Sequence, residues 1–130
     1  MAISIVASGT TSVATGATYT SLCHASGTTN GGVYQFWLDL KNMRSGSTPD
    51  QFDVKIDECV YWDASTWSSG EQTVFIASVS GSQSEPTWVS PSLILGVAGS
   101  TTADEGFTFY IRQSAGSNST SFGYSVRKVA

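Results

Sequence analysis

Val33-Tyr34-Gln35-Phe36-Trp37-Leu38-Asp39-Leu40 and Gln51-Phe52-Asp53-Val54-Lys55-Ile56-Asp57-Glu58-Cys59-Val60-Tyr61-Trp62 read as two strands. Side chains alternate between the faces of a strand, so residues two apart share a face. Tyr34, Phe36, Leu38 and Leu40 therefore make one apolar stripe, and Phe52, Val54, Ile56 and Val60 make another. Gln35, Asp39, Asp53, Lys55 and Asp57 fall opposite them. The expectation is a neighbouring antiparallel pair with one dry face and its charges on the solvated side. Their connection, residues 42–50, is long enough for a helical turn.

The remaining candidate elements also read as strands. Ile3 to Ser8 is one, ending in a Gly9-Thr10-Thr11 turn. Ala17 to Ala25 is another, with Tyr19, Ser21 and Cys23 on one face and Leu22 and His24 near the other. Thr73 to Val79 reads as a strand of buried type. Pro91 has no N–H for a ladder, which makes Trp88 to Val97 an edge or broken strand. Phe107 to Gln113 and Phe122 to Val129 read as a closing hairpin. Phe107, Phe109 and Ile111 share one face there, and Phe122, Tyr124 and Val126 another. About eight strands at regular spacing predict an all-β fold, an antiparallel β-sandwich of jelly-roll type, with an immunoglobulin-like sandwich as the alternative. The 130 residues suit a single domain over residues 1–130. Residues 1–16, uncharged and rich in Gly and Thr, are a possible N-terminal arm, with Ile3, Ile5, Val6 and Val13 its candidate contact residues.

Composition narrows the function. Charged residues are only 12% of the chain, so the outer faces of the sheets must be lined largely by Ser and Thr. The six basic residues, Lys41, Arg44, Lys55, Arg112, Arg127 and Lys128, are scattered and outnumbered by ten acids. No basic stripe tracks a phosphate backbone, so neither nucleic acid nor a membrane surface is an expected partner. The start of the chain has no basic residue and only a brief apolar run, unlike a secretory signal. With Met1 as the native start, the expectation is synthesis and folding in a cytoplasm. Cys23 and Cys59 are then expected as free thiols, with a later disulfide between them the alternative.

No constellation for catalysis emerges. His24 directly follows Cys23, and strand neighbours point to opposite faces, which separates the base from the nucleophile. Asp53 and Asp57 share a face but have Lys55 between them, a surface ladder rather than two carboxyls across a cleft. Glu58 shares parity with Ile56 and Val60, so it needs a partner such as Arg112 or Arg127, or a bulge that turns it outward. Metal-loop and phosphate-loop spacings are lacking, and no cofactor is expected. Asn118-Ser119-Thr120 matches a glycosylation sequon in a turn. The aromatics Tyr61, Trp62, Trp67 and Trp88 are candidate glycan or partner contacts, since flat rings beside Asp and Ser suit a sugar.

Two segments carry a resemblance. The first is Gly32 to Gly46 (GVYQFWLDLKNMRSG) followed by Phe52-Asp53-Val54-Lys55-Ile56. The second is Phe107-Thr108-Phe109-Tyr110-Ile111-Arg112-Gln113-Ser114-Ala115-Gly116 with Tyr124-Ser125-Val126-Arg127-Lys128. Their order resembles small all-β structural proteins of tailed bacteriophages, most of all head decoration (cement) proteins. The resemblance implies a non-enzymatic virion component on the capsid surface. Its implied partners are the major capsid protein and copies of itself, as a homotrimer. The alternative function is a glycan-binding module, such as a tail-fibre or receptor-binding domain or a small lectin.

Overall fold

The computed structural model describes residues 3–26, 31–58, 62–63, 66–67, 72–95 and 106–130. Its strands are β1 (Ser4–Thr11), β2 (Thr20–Ser26), β3 (Gly32–Asp39), β4 (Gln51–Glu58), β5 (Trp62–Asp63), β6 (Thr66–Trp67), β7 (Gln72–Ser80), β8 (Thr87–Val89), β9 (Leu93–Leu95), β10 (Gly106–Ala115) and β11 (Phe122–Lys128). One sheet runs β1-β11-β3, with β8 and β9 in line along the far side of β3; the other runs β2-β10-β4-β7. All their strand pairs are antiparallel. With β8 and β9 taken as one strand broken at Pro91, the connections cross between sheets everywhere except from β4 to β7. That order is a jelly roll, not the immunoglobulin order in which consecutive strands share a sheet.

The two segments read as neighbouring pairs are therefore not hairpins. β3 and β4 lie in different sheets, as do β10 and β11. Their apolar faces meet across the core, which dries them as well as side-by-side pairing would. Tyr34 and Phe36 from β3 meet Phe107 of β10 at ring separations of 4.7 and 6.1 Å, and Phe36 meets Phe109 at 4.6 Å. Phe52 of β4 meets Phe122 of β11 at 5.3 Å. Each such pair adds about 0.5–1.5 kcal/mol beyond the area it buries. The expected stripe of Tyr34, Phe36, Leu38 and Leu40 is buried, as are Phe52, Val54 and Ile56. Val60 lies outside the described residues.

Four one-residue bulges interrupt the ladders, one of them at Ser114 near the end of β10, and the other three lie in β2, β7 and β1. In β2 the register slips at Leu22, so Cys23 opposes Phe109 and faces the core while Ser21 opposes Tyr110 and faces out. Tyr19 is on that outer side too, edge-on to Tyr110 at 6.5 Å, and does not share a face with Cys23. Val74 is the extra residue in β7 and Val6 the extra residue in β1. β1 also runs on through Gly9, Thr10 and Thr11, where a turn was expected. β7 is not buried on both faces: it is an edge strand with Phe75, Ala77 and Val79 inward and Val74 and Ile76 exposed.

The break at Pro91 is bridged by Ser90. Its N–H donates to Phe36 O (2.9 Å), and its hydroxyl accepts the Phe36 N–H (3.0 Å), so the edge of β3 stays satisfied where the proline cannot pair.

Residues 42–50 form no helix; a turn from Met43 N–H to Leu40 O leads instead to a buried carboxylate. Asp50, 1% exposed, accepts from the Arg44 N–H and guanidinium, the Thr120 hydroxyl (2.8 Å) and the Gln113 amide (3.2 Å). Burial pushes its pKa up, but the hydrogen bonds from Arg44 and Thr120 outweigh it and hold the carboxyl below its ordinary range. Gly116 caps this cluster with φ +129°; a Cβ there would collide with the Asp50 carboxylate and the Gln113 amide. The sequon threonine is thus a structural ligand of Asp50.

Candidate functional site

The outer face of β4 carries three charged side chains in a row, Asp53, Lys55 and Asp57. Asp53 and Asp57 were expected in solvent, and both are buried. Asp53 receives the Arg112 Nε–H (2.8 Å), the Ser78 hydroxyl (2.7 Å) and the Gln51 amide (3.0 Å). Lys55 pairs with Asp57 at 3.0 Å, and Thr73 donates to the other Asp57 oxygen at 2.6 Å. Above this layer the Lys55 ammonium lies 4.9 Å from both the Tyr19 and Tyr110 rings, and the Arg112 guanidinium 4.4 Å from Tyr19. Long side chains from β2's approach and from β10 thus close over the aspartates. For Asp53, burial raises the pKa, yet Gln51, Ser78 and Arg112 together pull it down to about 2. A carboxylate held that firmly ionised is the reverse of a general acid, whose pKa must rise.

Glu58 is buried too, with Phe107 and Gln72 as its ladder neighbours. The arginines considered for it are engaged elsewhere: Arg112 with Asp53, and Arg127 over the Trp37 ring at 3.8 Å on the other sheet. Cys23 is a buried thiol whose pKa burial pushes up, and His24 stands on the opposite face with Nδ1 2.8 Å from the Thr108 hydroxyl. Alternation separates the two as expected. Cys59 lies outside the described residues. Among the described residues no group of three or more His, Cys, Asp or Glu is placed to hold a metal ion.

The sheet edges carry the exposed apolar surface. Ile3, Ile5 and Val6 are 66%, 64% and 42% exposed, whereas Val13 sinks into the core. Residues 4–11 pair with β11, and the Gly16 N–H donates to Gln113 O, so this segment lies along the sandwich. β7 adds Val74 and Ile76, and β9 adds Ile94 at 85% exposure. Neither Ser4–Thr11 nor Gln72–Ser80 contains a charged residue or a proline. Edge strands present a row of backbone donors and acceptors, which proteins that stay apart normally guard with Lys, Pro or a covering segment. Alternation pointed to Val74 and Ile76, since both fall opposite Phe75.

Trp88 is half-buried against the core, 6.2 Å from Phe75. Trp62 and Trp67 are backbone partners in the two-residue pair of β5 and β6. Tyr61 lies outside the described residues.

No protein-family model, no curated protein and no solved structure matches this chain.

Proposed function

We propose that this protein is a non-enzymatic bacteriophage virion component, a decoration or cement protein that binds the assembled head shell and associates with copies of itself. One observation carries the reading: β1 is an uncharged edge strand whose bulge presents Ile5 and Val6 to solvent beside an open row of backbone groups. Such an edge suits strand addition, where backbone hydrogen bonds give affinity and alternate side chains give selectivity. The phage resemblance in residues 32–56 and 107–128 supports the same reading. A protein that binds only the expanded lattice stabilises that lattice by mass action.

Deleting residues 2–12 would strip a strand from its sheet, so substitution is the cleaner test. Ile5→Lys with Val6→Lys keeps the β1 backbone and charges its exposed side. Removing two apolar contacts of this size should weaken co-sedimentation with expanded heads of the phage carrying the gene by roughly a hundredfold. Circular dichroism of the free protein should not change. Unaltered binding to the heads would overturn the proposal.

A further inference from the structure

The outer face of the β1-β11-β3-β8 sheet holds an open cleft of about 420 Å³. It lies within the roughly 300–1,000 Å³ range of small-molecule sites. Its rows follow from the register. Thr10, Gly123, Asp39 and Thr87 stand side by side across four strands, and Ser8, Ser125 and Trp37 form the next row. The trough exists because β11 contributes only Gly123 and Ser125 to its floor, while Trp37 and Arg127 rise at one end. Packing does not require the glycine. A Cβ on Gly123 would make ordinary contacts, 3.5 Å from Asp39 Cβ and 3.8 Å from Gly9 O.

We infer that this cleft binds a saccharide unit. The Trp37 ring closes one end of the cleft with one face covered by Arg127, and its indole N–H is buried without a hydrogen-bond partner among the described residues. Arg127 lies over the ring and donates to Ser125 Oγ at 3.1 Å. Opposite is the Asp39 carboxylate, 45% exposed, held toward its own loop by the Lys41 N–H (3.1 Å) and, at 3.5 Å, its ammonium. A sugar ring has C–H faces that pack on an aromatic and hydroxyls that both donate and accept. A carboxylate, a guanidinium and the hydroxyls of Thr10 and Thr87 answer those hydroxyls from both sides. A phosphate ligand would meet Asp39 in the same space, and an acyl chain would leave that carboxylate and the hydroxyls unpaired. The inference goes beyond lattice binding: its variants leave Ile5 and Val6 untouched.

The test is a nitrogen-15 NMR titration of the whole chain with methyl glycosides of a hexose, an N-acetylhexosamine, a deoxyhexose and a uronic acid. At least one should give saturable shifts of the Trp37 indole N–H and the Gly123 and Ser125 amides. Asp39→Ala should weaken that binding roughly tenfold. Gly123→Val, which fills the floor at a strand position that favours β-branched residues, should abolish it with the remaining spectrum intact. A panel that leaves the Trp37 indole unmoved overturns the inference. So do shifts that survive Gly123→Val or that fall only on residues 62–67.

Discussion

Asp53 and Asp39 sit on the outer faces of interior strands, one in each sheet, yet only Asp53 is removed from water. Strand position does not explain the difference; the neighbours do. Around Asp53 the adjoining residues are long: Arg112, Lys55, Tyr110 and, through the β2 bulge, Tyr19, which lean together into a charged and aromatic cover. Around Asp39 they are Gly123, Thr10 and Thr87, too short to cover anything. One face is sealed by its own side chains and the other is left open. In a sandwich whose inner faces are equally dry, the open face and the unguarded edges are where another molecule can be held.

The sharpest way to break the sealed face is Asp53→Ala. It leaves Arg112, Ser78 and Gln51 facing a void, and loss of one partner of a buried pair costs about 3–5 kcal/mol. The Arg112 side chain is 30% exposed and recovers part of its hydration, so about 3 kcal/mol is expected. Urea denaturation monitored by fluorescence measures it as a lower midpoint at unchanged slope.

Acid should open the same face more gently. The folded-state pKa of Asp53 lies below its ordinary value, so its contribution is present above about pH 4 and is lost as pH falls toward 2. The displacement corresponds to roughly 2 kcal/mol. Asp50, held low by Arg44 and Thr120 against the effect of burial, loses stability in the same direction. Urea midpoints at pH 7, 4 and 2.5 should therefore fall together in the parent. The Asp53→Ala protein should keep only the shallower slope that Asp50 supplies. Equal slopes in both proteins would remove Asp53 as a cause.

Which of these features could be read in the residues follows from what alternation can express. Period two says which side chains share a face, and it placed Tyr34, Phe36 and Leu38 and Phe107, Phe109 and Ile111 in the core. It does not say which strand lies alongside, so β3 with β4 and β10 with β11 passed for neighbours although each pair spans the core. A single inserted residue reverses a face without leaving a mark in composition, which is how Leu22 turned Tyr19 outward and with it the cover over Asp53 and Lys55. Gln113 was a legible exception. It follows Phe107, Phe109 and Ile111 at even spacing, so the same rule that buried them aimed an amide inward, where it binds Asp50. The cleft on the outer face of the β1-β11-β3-β8 sheet was illegible, because it depends on four strands meeting at one level, and all three adjacencies between them are distant in sequence.

The smallest expected effect is the one that separates the two faces most cleanly. Asp39→Ala removes an ion pair at 3.5 Å between side chains that are 45% and 68% exposed. Such pairs are worth little in water, and the change in unfolding free energy should stay within about 0.5 kcal/mol. The same substitution removes the carboxylate that faces the cleft, so saccharide affinity should fall while the urea midpoint stays put. A drop in stability comparable to that of Asp53→Ala would mean that Asp39 is covered in solution as Asp53 is, and the contrast between a sealed and an open face would fail.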